Sequence, residues 1–152
     1  MNSPTQHTQM PPVSDLMSEL PPEILQGVYG VGVDLASIER IELAIARSGE
    51  KFLDLVYTKN EQAYCERAEK KFERYSACWA VKEAAVKALG TGFRHSVKFK
   101  DIELQPTPNG RPTLNLSGKF GEIMATNNVN YSHVSISHEG NNAIAIVMLC
   151  RI

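Results

Sequence analysis

The stretch from Lys70 to Leu89 (KKFERYSACWAVKEAAVKAL) constrains this chain more than any other, since it has the length and residue types of one long helix and stops at Gly90. A residue without a Cβ adopts the left-handed conformation that closes a helix, so Gly90 is its expected cap. Ala80, Ala84, Ala85 and Ala88 give this helix faces small enough for other backbone to come close. On a further face Trp79, Glu83 and Lys87 follow one another at intervals of four and stand in a column. Glu83 and Lys87 allow two readings. One is an exposed helix ion pair worth about 0.3 to 0.5 kcal/mol; the other is part of a site for a metal ion and phosphate.

The apolar, glycine-rich run GVYGVGVDL, from Gly27, reads as a buried strand ending at Asp34. A helix is expected over 37–47, stopped at Ser48-Gly49. Phe52, Leu53, Leu55 and Val56 form an apolar knot, and Thr58 or Asn60 caps a short helix reaching Arg67. The last third changes period: a strand over 97–104, a turn at PTPNG, its hairpin partner over 111–116, a helix over 118–127, then strands over 132–139 and 143–150. In SHVSISHE, Val134 and Ile136 face one way and His133, Ser135 and Ser137 the other. The sum is α+β, with hairpins and helices packed on one mostly antiparallel sheet. Residues 1–26 contain five of the eight prolines and read as a flexible extension preceding one domain over 27–152.

With 152 residues, a single domain is the default. No apolar run approaches the roughly 20 residues that cross a bilayer, and the first Lys or Arg is Arg40, which fits neither a signal peptide nor an Arg-rich transit peptide. A cytoplasmic protein without membrane association is expected. The three scattered cysteines fit neither a disulfide framework nor a zinc pattern. Residues 51–100 hold eleven Lys/Arg against six Asp/Glu, whereas the rest is acidic. That basic middle suggests an anionic partner, but its charges are too interleaved with acids for a strong nucleic-acid surface.

Asp34, at the end of the first strand, is placed either to meet the following helix N-terminus or to face a cleft. A second carboxylate brought near it is repelled unless a cation lies between them, and oxygen ligands of this kind suit Mg²⁺. His138 is either a structural hydrogen-bonding group or a group at a site. A zinc site shared with His133 is disfavoured, because the two have opposite strand parity. Gly90-Thr91-Gly92 lacks a Walker pattern and Gly30-Val31-Gly32 lacks the third glycine of a dinucleotide fingerprint.

In order and spacing, GVGVD with Glu39-Arg40, WAVKEAAVKALGTG, PNGRP and HVSISH together resemble the holo-acyl-carrier-protein synthase family of 4'-phosphopantetheinyl transferases, over about Val28 to Leu149. The resemblance implies that Asp34 and Glu83 hold Mg²⁺ and that Lys87 faces the pyrophosphate of coenzyme A. It places Asn109, Gly110, Arg111 and Pro112 in the wall around the adenine, His138 near the nucleotide phosphates and Arg40 in docking of the acidic acyl carrier protein. It also implies a homotrimer with sites between subunits, and transfer of 4'-phosphopantetheine to a carrier serine with release of 3',5'-ADP. Candidates for the base are a metal-bound water or hydroxide, relayed through Asp34 or Glu83, and then His138. Cys78 departs from the pattern, since many relatives carry an arginine immediately before the aromatic residue; Arg74, Lys82 or Arg94 are the candidates to compensate. A coenzyme A sensor without transferase activity is the alternative that this departure raises.

Overall fold

Ala143, Ala145, Val147 and Leu149 are fully buried while Ile144 and Ile146 between them are not, and this period of two marks a strand with one face on the core. The strand is the middle of a three-stranded antiparallel sheet. The computed structural model describes residues 27–152; the segment 1–26, expected to be flexible, lies outside the described residues. The elements run β1 (Gly27–Ser37), α1 (Ile38–Ser48), α2 (Glu50–Val56), α3 (Lys59–Glu66), α4 (Lys71–Leu89), a 3-10 turn (Phe99–Asp101), β2 (Ile102–Gln105), β3 (Thr113–Leu116), α5 (Gly118–Thr126), β4 (Tyr131–Glu139) and β5 (Asn142–Arg151). The larger sheet has the order β1-β5-β4, and among the described residues β2 pairs only with β3.

Helix α4 crosses the inner face of the larger sheet, and its alanines are the reason it can lie so low. A Cβ on Gly30 would sit 2.0 Å from the carbonyl oxygen of Ala88, and one on Gly32 would sit 1.9 Å from that of Ala84. Only glycine fits at either place. Gly30, Gly32, Asp34 and Ala36 share this inward face, whereas Val31, Val33 and Leu35 point outward with Ile144 and Ile146. Among the described residues that outer face is apolar and uncovered, its residues 36 to 62% exposed. Gly90, with φ of 82°, ends α4 in the left-handed conformation as expected. Among the described residues no helix is long and apolar enough to cross a membrane.

The expectation of one sheet is corrected to two. The edge of β2 turned away from β3 is closed by side chains rather than by another strand: Lys82 donates to the Ile102 carbonyl, and Glu61 accepts from the Leu104 amide at 2.9 Å. These groups have no need of a strand partner. The expected strand over 97–104 begins only at Ile102, because Asp101 caps the Lys98 amide at 3.1 Å and winds Phe99–Asp101 into a 3-10 turn. The apolar knot near Phe52 is helical, as α2. The other elements agree with expectation to within a few residues.

Candidate active site

The inward parity of β1 and the slim alanine face of α4 bring the two predicted acids together. Lys87 Nζ donates to Asp34 Oδ1 at 2.8 Å and to the Val33 carbonyl at 3.1 Å. Asp34 is 15% exposed and Lys87 52% exposed, so the carboxylate is held in the fold while the ammonium group reaches it from solvent. Burial pushes the Glu83 carboxyl above its usual range and the neighbouring Asp34 charge adds to this, with Lys87 opposing both. Like charge this close is what a bound cation relieves. Among the described residues no third carboxylate, imidazole or thiol joins them to form a larger ligand cluster. Two carboxylates with the remaining positions left for water and phosphate oxygens are a donor set suited to Mg²⁺ and poor for zinc.

Trp79, at the head of the same column, stacks on Phe99 at 5.2 Å and on Phe52 at 6.0 Å between ring centroids. It anchors the helix rather than facing the acids.

The adenine-wall candidates meet at a cavity of about 940 Å³ bounded by Gly110, Arg111, Pro112 and His138 on one side and by Glu73 and Arg74 of α4 on another. His138 Nδ1 lies 3.8 Å from Glu73 Oε2. Asn109 is not in the lining; its Oδ1 accepts from the Arg111 amide at 3.2 Å and shapes the turn that presents Arg111. Arg111 also approaches His133 Nδ1 at 3.5 Å. None of Asp34, Glu83 and Lys87 lines this cavity. Asp34 belongs to β1 and the Val134–His138 flank of the cavity to β4, opposite edges of the sheet, about 10 Å apart across β5. Glu83 and the cavity also occupy different faces of α4: Glu83 follows Glu73 by ten residues, a rotation that leaves them about 80° apart.

Arg40 begins α1, where its amide donates to Ser37 Oγ at 3.3 Å, and its exposed guanidinium has no ion-pair partner among the described residues. Of the three candidates to stand in for the arginine that Cys78 replaces, only Arg74 borders the cavity, lying 4.2 Å over the Tyr64 ring. Lys82 is wholly buried, and Arg94 lies outside the lining. Cys78 is buried too; its contact with Cys65 Sγ at 4.0 Å, and then burial, hold its thiol well above the ordinary value. Sequence reasoning missed Glu73 at the cavity, although its place four residues before Ala77 on the small-residue helix was visible.

The model of the 4'-phosphopantetheinyl transferase superfamily matches residues 30–147. A holo-[acyl-carrier-protein] synthase of Solibacter usitatus is 43% identical over 125 residues, covering 80% of this chain and 98% of that protein. The fold resembles the crystal structure of the Neisseria meningitidis synthase (TM-score 0.75, 26% identity, 82% and 99% of the two chains). It also resembles the Helicobacter pylori synthase in complex with coenzyme A (TM-score 0.68, 33% identity, 78% and 98%). In sequence and in fold alike, the chain belongs to the 4'-phosphopantetheinyl transferase superfamily.

Proposed function

We propose that this protein is a holo-[acyl-carrier-protein] synthase, moving 4'-phosphopantetheine from coenzyme A to a serine hydroxyl of an apo-acyl carrier protein and releasing 3',5'-ADP. The observation that carries this reading is the meeting of Asp34, Glu83 and Lys87 on the surface created by the glycine contact. Asp34 and Glu83 would hold Mg²⁺, whose positive charge, when bound, offsets the negative charge of the coenzyme A pyrophosphate. Lys87 supplies a mobile ammonium: it neutralises Asp34 in the unliganded chain and is exposed enough to turn to a phosphate oxygen. Asp34 or Glu83, acting through a water, stands ahead of His138 as the acceptor of the serine proton, because His138 lies with the cavity and faces Glu73. Arg111 and Arg74 offer positive charge to the nucleotide end in a cavity also bounded by apolar Val134 and Ile136. Arg40, exposed and unpaired among the described residues, is the cation for an acidic carrier.

The assembly that suits this layout is a homotrimer. The bare outer face of Val31, Val33, Leu35, Ile144 and Ile146 is larger and more contiguous than scattered surface apolar residues, and copies of this chain are its occupants. Asp34 at one sheet edge and the cavity at the other favour a head-to-tail ring, in which the β1 edge of one copy meets the β4 edge of the next. Val33→Lys should yield monomers by light scattering; an unchanged mass would remove this face from the assembly.

Incubation of an apo-acyl carrier protein with coenzyme A, Mg²⁺ and the enzyme should add the mass of one phosphopantetheine, and no product should form after removal of divalent ions. Binding of coenzyme A without any mass gain across several carriers would leave a sensor instead.

A further inference from the structure

Lys82 and Glu61 form an ion pair at 2.9 Å in which both side chains are 0% exposed. Taking two charges from water is expensive, and mutual attraction rarely does more than offset it, so a pair in the core is weak evidence for stability alone. Here every polar position is used. Lys82 Nζ donates to the carbonyls of Phe99, at 3.0 Å, and Ile102 as well as to Glu61. Glu61 accepts from the Leu104 amide on one oxygen and from the Thr58 amide on the other, each at 2.9 Å.

Through these bonds a single pair ties α4 to the start of α3 and to the outward edge of β2. We propose that Lys82 and Glu61 are positioning residues for coenzyme A, fixing the β2–β3 hairpin, and with it the Arg111 wall of the cavity, against α4. The inference rests on the reading of that cavity as the coenzyme A site. One wall belongs to α4, through Glu73, Arg74 and Ala77, and the facing one to the hairpin, from Leu104 to Pro112. The hairpin is a two-stranded ladder of four residues a side, which has little stability of its own. What sets its distance and register against α4 is the hold on the Ile102 carbonyl and Leu104 amide. Apolar side chains fill the same volume but hold neither group in direction.

Three variants and one measurement on the native chain test this. Glu61→Gln keeps the shape and an acceptor for Leu104, while Lys82→Met/Glu61→Gln removes both charges. Each is compared with the wild type by calorimetric titration of coenzyme A, at a temperature where circular dichroism shows the variant fully folded. Coenzyme A affinity and KM should worsen by about threefold in the single variant and about tenfold in the double, with kcat at saturation within about twofold of wild type. A pair that only stabilises the fold lowers the melting temperature and leaves KM per folded molecule alone; wild-type affinity in either folded variant overturns the proposal. Arg111→Ala separates the two levels: unchanged coenzyme A binding there overturns the cavity reading itself. In the native protein, amides of residues 102–105 should exchange hydrogen as slowly as those in the middle of α4. Faster exchange by local opening shows that the hairpin is not held, and counts against the proposal even if no variant folds.

Discussion

Helix α4 is tied to the rest of the molecule in two opposite ways. On the side of β1 the contact is made by the absence of side chains, Gly30 and Gly32 against the backbone of Ala84 and Ala88. Toward β2 it is made by two buried charges with all their hydrogen bonds satisfied. The first sets a distance, because close-packed backbone tolerates no added atom. The second sets a register, because hydrogen bonds have direction. The glycine contact brings Asp34 to Glu83; the ion pair places the cavity wall. Distance and register are thus supplied separately, the one to the two acids and the other to the cavity.

The largest effect should come from the side with no tolerance. Gly32→Ala puts a Cβ 1.9 Å from the Ala84 carbonyl oxygen and 2.6 Å from the Ala88 amide nitrogen. Neither atom can yield without moving α4, so the loss measured by urea denaturation should exceed about 4 kcal/mol, the exceptional end of single substitutions. A loss under about 1 kcal/mol would mean the backbones do not touch and would break the contrast at once. Next is Lys82→Met, which strands Glu61 in the core and should cost about 3 kcal/mol. Removing both charges should cost less than removing Lys82 alone; if it costs more, the flank is held by packing and not by charge.

Glu83→Gln should leave the denaturation midpoint nearly unmoved while lowering transfer activity by about a hundredfold or more, measured by carrier mass gain. The smallest effect is a pH slope. The Glu83 carboxyl titrates above its ordinary range in the metal-free fold, with burial the first cause and Asp34 the second. A raised carboxyl favours the folded state below its unfolded pKa, and that advantage is lost as pH rises through the folded value. The stability of wild type relative to Glu83→Gln should therefore fall as pH climbs from the ordinary carboxylate range through that raised value. A difference that stays flat would mean that the Glu83 carboxyl is neither held away from water nor close to Asp34.

The two flanks were unequally legible. Small residues on a helix and a glycine-rich strand advertise close approach, and the parity that turns Asp34 with Gly30 and Gly32 toward α4 follows from the period of a strand. The ion pair left no such mark. Lys82 in AVKEAAVK resembles any solvated helix lysine, and Glu61 has the spacing of a capping box with Thr58, a role it does fill while also being buried. Twenty-one residues separate the two, and no periodicity links them. The late start of β2 was partly visible: Val97 and Phe99 alternate in one phase and Ile102 and Leu104 in the other, and the slip falls at Asp101, where the chain takes its 3-10 turn. Asn109, which the resemblance puts in the wall around the adenine, uses its side chain here to hold the turn that presents Arg111.

Titrating Mg²⁺ into ion-free protein in the presence of coenzyme A, and following the heat released in wild type, Asp34→Asn and Glu83→Gln, asks most directly what the β1–α4 contact is for. The expected result is binding by wild type that is lost in both variants while their thermal midpoints without the ion match the wild-type value. Undiminished Mg²⁺ affinity in either folded variant would contradict a site shared by the two acids.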